Sequence, residues 1–348
     1  MDTPARKETD AILEKLEKRI RKEYQQAAKE VEEKLADYLR RYDIKNSIKA
    51  DQLKRGVITQ KEYNEWRRGQ IMMGKRWAEM RDTLANDLHN TNEIARNLVQ
   101  KEMPKVYAVN HDYATFEVEH LSKMDTSYTL YNHKAVERVF RDNPKIYHDA
   151  GKRTKARVRA GIEKAWDKHQ IESVMIQGIL QGESIPNLSK RLHKVTEGDY
   201  KAAIRNARTM TTGIENAGHQ DAYHRANDLG IKTKNQWDAT LDDRTRHSHR
   251  VLDGEVREVG EKFSNGCEYP GDPNGDPAEI YNCRCRLRCV IAGFEKDMSD
   301  LTRRNSKLGD MTYEEWKEEK ESNSHSITKQ DEIAQGMKWR YINEDYKK

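Results

Sequence analysis

From Ile12 onward, apolar and aromatic residues fall at Leu13, Leu16, Ile20, Tyr24, Ala27/Ala28, Val31, Leu35, Tyr38/Leu39 and Tyr42. Steps of three and four define one face of a long amphipathic helix, and the near-heptad spacing predicts that this stripe packs on a partner helix, which can belong to the same chain. Thr59-Gln60-Lys61-Glu62 has the form of a capping box, so a second helix starts there and carries Tyr63 and Trp66. After Gly69 and Gly74 a third pattern (Trp77, Met80, Leu84, Leu88, Ile94, Leu98) runs to Pro104. No proline lies between Pro4 and Pro104, as an extended helical region requires.

Between Lys105 and His133 the periodicity loosens into Tyr- and Thr-rich sequence, which predicts a short hairpin or an irregular connection. Asp142-Asn143-Pro144 and Gly151 bracket a boundary. Helical patterns follow over Ile162–Leu180, Ile185–Val195 and Asp199–Leu229, the last closed by Gly230. Arg205, Arg208, Thr209, Thr212, Glu215, Asn216 and His219 share one face of that last helix, a solvated or domain-facing surface rather than the wall of a site. The character then changes to a short strand at Gln236–Thr240, a turn and short helix within Asp242–Leu252, and an Asp253-Gly254 turn into Glu255–Val259. A Pro/Gly-rich loop follows at 264–278, then a closing strand at Asn282–Leu287. The polar tail has one helix signal, Thr312 to Glu315.

The expected fold is therefore mainly α with a small C-terminal α+β domain. It divides into an extended helical region (1–145), a basic linker (146–165), a domain of helices (166–230) joined to an α+β part (231–294), and a polar tail (295–348).

Composition narrows the classes. The chain has 348 residues, with 64 Lys and Arg against 59 Asp and Glu, a net charge of +5 at 35% charged residues, so opposite charges are interspersed and the molecule is no polycation. Its mean hydropathy is −1.09, and no apolar run approaches the ~20 residues that span a bilayer, which argues against a membrane protein. Met1-Asp2-Thr3-Pro4 leads into charged residues without an apolar stretch, so the expectation is a reducing cytoplasm with no secretory signal. Lys152, Arg153, Lys155, Arg157 and Arg159 form a basic cluster that either meets DNA phosphates or serves as a solvated linker.

All four cysteines, Cys267, Cys283, Cys285 and Cys289, fall in one short stretch, with His247 and His249 just upstream. On a strand Cys283 and Cys285 share a face, so with His249 and Cys267 they can form a Cys3His structural zinc site that pins the Pro/Gly-rich loop. The Cys-x-Cys spacing is not that of paired zinc knuckles, and the rival readings are buried free thiols or a disulfide from Cys267 to Cys283 or Cys285. The histidines and carboxylates of Asp242–Gly254 also admit a catalytic metal with His249 as general base, a nuclease-like arrangement. Against this, Asp242 can cap the short helix and Asp253-Gly254 is an ordinary turn. Gly-x-Gly-x-x-Gly, P-loop, Gly-x-Ser-x-Gly and His-Glu-x-x-His motifs are all missing.

Trp237, Asp242-x-Arg244-Thr245-Arg246-x-x-His249, Leu252-Asp253-Gly254, Phe263, Tyr269-Pro270-Gly271-Asp272-Pro273, Ala278-Glu279-Ile280 and Asn282-Cys283-Arg284-Cys285 together resemble the phage head morphogenesis domain of the Mu F type. The preceding helix, with Ala207-Arg208-Thr209 and Asn216-Ala217-Gly218, looks like the first part of the same domain. Glu62-Tyr63-x-x-Trp66-Arg67 and Gly74-Lys75-Arg76-Trp77 look like minor head proteins of tailed phages and prophages. The resemblance implies a minor virion component rather than an enzyme. Such a component is made in the bacterial cytoplasm, sits inside the capsid at the portal vertex, and acts in procapsid assembly, DNA packaging or ejection. Its implied partners are the portal protein, major capsid or scaffold proteins and packaged double-stranded DNA, with no membrane. The N-terminal helix is then a candidate portal-docking element. The motif residues carried over are Trp237, Asp242, Arg244, Arg246, His249, Asp253, Gly254, Pro270, Gly271, Asp272, Asn282, Cys283 and Cys285. Cys267 and Cys289 lie outside the general motif. Some relatives carry a toxin after this domain, for which the 53 residues following Glu295 are expected to be too few.

Overall fold

A computed structural model describes residues 3–72, 75–126, 128, 130, 156–181, 183, 185–291 and 311–322. Its elements in chain order are α1 (Pro4–Lys54), α2 (Gln60–Met72), α3 (Lys75–Ser122), α4 (Ala156–Leu180), α5 (Ile185–Asp228), β1 (Thr233–Asp238), α6 (His247–Val251), β2 (Val256–Glu258), α7 (Pro277–Ile280), β3 (Arg286–Ile291) and α8 (Tyr313–Ser322). The chain is mainly helical, with a small α+β part toward the C-terminus. It forms two compact units, one drawn from Glu17–Leu98 and Gly151–Ile204, the other from Met1–Leu16, Val99–Ala150 and Arg205–Lys348.

In the unit containing Glu17–Leu98, the α1 stripe is spent inside the chain. Val31, Leu35 and Tyr38 join Ile71 and Met72 of α2, Trp77, Leu84 and Leu88 of α3, Ile171 and Met175 of α4, and Leu188 and Leu192 of α5 in one core. Each helix contributes one apolar face, which is why the three-and-four spacing is so plain in its sequence. The partner helices of the stripe thus belong to the same chain, as its spacing allows. The capping box at the start of α2 forms as its residues predict: the Thr59 N–H donates to Glu62 Oε2 at 2.8 Å and the Glu62 N–H to Thr59 Oγ1 at 3.2 Å.

In the unit that holds the sheet, α3 continues through Pro104 to Ser122, where the sequence predicts a hairpin or irregular connection. The reason is burial on several sides. Val106, Tyr107, Ala108, Val109, Asn110, His111, Ala114, Thr115, Val118 and Glu119 are all buried, which erases the polar face that marks a surface helix. Polar residues are accommodated by bonding: the Asn110 amide donates to Thr9 Oγ1 and Val106 O, each at 2.8 Å, and the Tyr107 hydroxyl to Asp221 at 2.6 Å. Gly218 lets α5 meet α3 backbone to backbone, since a Cβ there would lie 2.8 Å from Tyr107 O. Arg6, from the first turn of α1, reaches the buried Glu215 at 3.1 Å, and Arg286 of β3 reaches the same carboxylate at 3.5 Å.

Other boundaries differ from expectation too: α4 begins at Ala156 rather than Ile162, within the expected linker, and β1 spans Thr233–Asp238 rather than Gln236–Thr240. The helices read as Ile185–Val195 and Asp199–Leu229 are one, α5, running through Gly198. It ends in a Schellman motif, with Gly230 at φ +89°, its N–H donating to Asn227 O at 3.0 Å and that of Ile231 to Ala226 O at 2.9 Å. The sheet has the order β2-β1-β3, antiparallel throughout, pairing Gln236 with Val256 and Trp237 with Leu287. The third strand starts at Arg286, so Cys283 and Cys285 precede it and do not share a face by strand alternation. In the tail, Thr312 and Glu315 cap α8, and Trp316 stacks on Tyr128 and donates to Glu119 at 2.6 Å. The basic cluster falls largely outside this description: Lys152, Arg153 and Lys155 lie beyond the described residues, and Arg157 and Arg159 are placed only as backbone of α4.

Candidate functional site

The polar face of α5 is the seat of the α+β part. The Thr212 hydroxyl donates to Cys283 O at 2.9 Å, and the Thr209 hydroxyl accepts the Asn282 N–H at 3.1 Å. The Asn216 side chain, fully buried, donates to Pro270 O at 3.0 Å and Cys285 O at 3.2 Å while accepting the Leu287 N–H at 2.8 Å. His219 faces Leu287 O at 3.0 Å through Nδ1, which must therefore carry the ring proton. Of the two surfaces foreseen for this face, the domain-facing one is what forms.

Burial pushes the His219 imidazole from 6.5 down to about 4, with the Arg286 charge adding to it and the bond to Leu287 opposing it. An unfolded chain takes up this proton as pH falls below 6.5, whereas the folded chain resists until about pH 4, so stability present at pH 7 is lost through that window. Lowering the pH from 7 to 5 is expected to cost wild type about 1–2 kcal/mol more than His219→Gln in urea unfolding. Equal losses in both chains would remove His219 as the source.

The motif residues close this part of the fold. Trp237 is fully buried, edge-on to His249 (ring centroids 5.4 Å apart) and to Phe263 (5.2 Å). Asp242 accepts both arms of the Arg284 guanidinium at 2.5 Å and the Arg244 N–H at 2.9 Å, which together hold its carboxyl well below the usual range. Arg246 donates to the backbone carbonyls of Glu279 and Tyr281, and Asp253 accepts the Ala239 N–H at 2.9 Å. Gly254, at φ +80°, takes the turn into β2. The buried Asp272 accepts the N–H groups of Glu268 and Asn274 at 2.9 and 2.8 Å, shaping the Pro/Gly-rich loop from within. Gly271 lies so close to Gly213 of α5 that a Cβ on it would be 2.9 Å from the Gly213 backbone. Arg244 has its side chain largely in solvent, and Asp253 and Asn282 are exposed too.

Three of the four residues expected around a metal converge. His249 Nδ1 lies 3.2 Å from Cys285 Sγ and 3.7 Å from Cys283 Sγ, all three residues are buried, and the three ligand atoms lie within 4.8 Å of one another. The left-handed backbone of Asn282 (φ +56°) and the Thr212 bond to Cys283 aim the loop, in place of the strand that the spacing suggests. Cys267 is not in the group. It is packed beneath the loop, where a Cβ on Gly275 would sit 2.4 Å from its Sγ, and burial pushes its thiol up to about 12. The expected Cys3His set thus contracts to His249, Cys283 and Cys285. Within it, hydrogen bonds from Cys283 and His249 push the Cys285 thiol down to about 5, whereas Cys283 is pushed up. All four cysteines are free thiols, so of the two rival readings the structure has free thiols and not a disulfide from Cys267. The residue that sequence reasoning passed over as a site member is Glu279, whose Oε2 lies 3.0 Å from His249 Nε2. It is delivered by the short α7, which Asp276 caps through the Ala278 N–H at 2.7 Å, and only the Asp276-Pro277 start of that helix signals it in the sequence.

Fold and site together define a helical protein in which an α+β knob, organised by its own motif residues, is clasped to one long helix. Residues 169–288, about a third of the chain, match the family model described as phage Mu protein F like protein. The chain is 29% identical over 162 residues to minor head protein GP7 of Bacillus phage SPP1, covering 44% of this chain and 52% of that one. It is 27% identical over 231 residues to the NAD(+)-arginine ADP-ribosyltransferase EFV of Enterococcus faecalis, covering 63% of this chain and 46% of that one. YqbB of Bacillus subtilis, an uncharacterized protein, is 29% identical over 38% of the chain. The chain thus spans about half the length of the first two relatives. No solved structure matches it significantly.

Proposed function

We propose that this protein is a minor head protein, a non-catalytic virion component that associates with the portal and acts in procapsid assembly, DNA packaging or ejection. The observation that carries the reading is the structural use of motif side chains: Trp237 fills the core, and Arg246, Asp253 and Asp272 bond to backbone groups of neighbouring segments. The likeness to minor head protein GP7 supports it. A general base must reach its substrate, and the His249 side chain is 3% exposed and occupied by Glu279 and Cys285, which speaks against the nuclease-like alternative. Nothing in the described helices is long and apolar enough to cross a membrane. Packaged DNA is a partner that the cluster at Lys152–Arg159 suits by charge. Portal, major capsid and scaffold proteins are the protein partners on this reading.

Purified phage particles, analysed by quantitative mass spectrometry, are expected to contain the full chain at a few copies per portal and to co-purify it with portal protein. A chain abundant in the lysate but missing from particles would sink the proposal. Deleting residues 1–50 would be a poor test of portal docking, because Ala5, Ile12 and Leu16 are buried and Arg6 is tied to Glu215.

A further inference from the structure

The side chains around His249 carry a second inference, independent of the virion role. We propose that His249 Nδ1, Cys283 Sγ and Cys285 Sγ bind one zinc ion, that Glu279 orients the histidine from behind, and that Cys267 takes no part.

The distances suit the ion. Zn–S bonds of about 2.3 Å and a Zn–N bond of about 2.0–2.1 Å at tetrahedral angles place nitrogen and sulfur about 3.5 Å apart. The observed separations, 3.2 and 3.7 Å, lie on either side of that value. The donor set, two sulfurs and one imidazole, is one that zinc favours over magnesium or calcium. The ring is also correctly presented. Binding through Nδ1 leaves the proton on Nε2, and Glu279 Oε2 stands 3.0 Å from it. A carboxylate behind a ligating histidine is the arrangement that fixes its tautomer and raises its basicity. Glu279 is itself held by Ser248, whose hydroxyl lies 3.1 Å from Oε1, and by Asn265 at 3.4 Å. Three protein ligands leave a fourth position for water or another donor.

The ion would link three separate short segments. His249 belongs to the five-residue α6, Cys283 and Cys285 to the loop that α5 grips through Thr212 and Asn216, and Glu279 to the four-residue α7. Helices this short are not stable by themselves, so a metal joining them would act on the whole knob.

The test uses the full chain purified under reducing conditions, loaded with zinc, desalted and measured by elemental analysis. Wild type and Cys267→Ser are expected to hold about one zinc per chain, and Cys283→Ser/Cys285→Ser none. Because the double variant can fail to fold, Glu279→Gln supplies the second arm. It keeps all three ligands, and its zinc affinity in competition with a chromophoric chelator is expected to fall ~10–100-fold. Cobalt loaded in place of zinc should show thiolate-to-metal charge-transfer absorption in wild type and in Cys267→Ser. A wild-type chain that takes up no zinc, zinc retained by the double cysteine variant, zinc lost from Cys267→Ser, or an unchanged affinity in Glu279→Gln would each overturn the assignment as stated.

Discussion

Replacing Asn216 by leucine is expected to unfold the α+β part from α5 while most of the helical structure persists. The leucine fills similar space but strands the carbonyls of Pro270 and Cys285 and the N–H of Leu287, all three bonded to this one amide in a fully buried position. Each stranded group costs about 1–3 kcal/mol, so the substitution should cost on the order of 3–5 kcal/mol, at the severe end for a single change. Hydrogen exchange is the discriminating measurement. The Leu287 amide and its neighbours in β3 should lose protection in Asn216→Leu, while the amides of Val31–Tyr38 in α1 keep theirs. Unchanged protection at Leu287 would mean that the strand does not depend on this side chain.

A second large effect is expected at the contact between two glycines. Gly271 has φ +79°, which a side chain resists, and its Cβ would stand 2.9 Å from both N and Cα of Gly213, backbone atoms that cannot turn aside. Gly271→Ala should therefore cost about 2–4 kcal/mol, the sum of left-handed strain and overpacking. Gly266, in the same loop at φ +82°, has nothing within 4 Å of its would-be Cβ. Gly266→Ala then isolates the strain at about 1–2 kcal/mol. Equal losses in urea unfolding for the two variants would show that the loop yields at Gly271 and that the close approach is not constraining.

How much of this was legible in the sequence depended on how many sides of an element are buried. The α1 and α2 patterns and the Thr59–Glu62 and Thr312–Glu315 capping boxes were readable because those helices keep an exposed face and an exposed end. The second half of α3 was not, since a helix buried around Asn110, His111 and Glu119 no longer alternates polar with apolar residues. The sequence reads as two helices parting at 196–198, a break that does not occur, because one glycine, Gly198, costs only about 1 kcal/mol within a helix. At the site, the clustering of cysteines with His249 was visible from spacing alone. Its geometry was not: Cys283 and Cys285 are aimed by Asn282 and by bonds from α5, contacts between residues some seventy positions apart such as Thr212 with Cys283.

The pairing of Arg6 with Glu215 bears on the order in which this chain becomes protein on the ribosome. The first turns of α1 belong to the same unit as Val99–Ala150 and residues from Arg205 onward, so part of their surroundings, Glu215 included, does not exist until more than half of the chain has been made. Until then the native surroundings of Ala5, Ile12 and Leu16 are incomplete, and this part of α1 is open to chaperones. The other unit lacks nothing beyond Ile204 and can settle first. Closing the long chain segment between Arg6 and Glu215 is a late, slow event of high contact order. Nascent chains halted before β3 should therefore be richer in aggregates than their helical content alone would suggest.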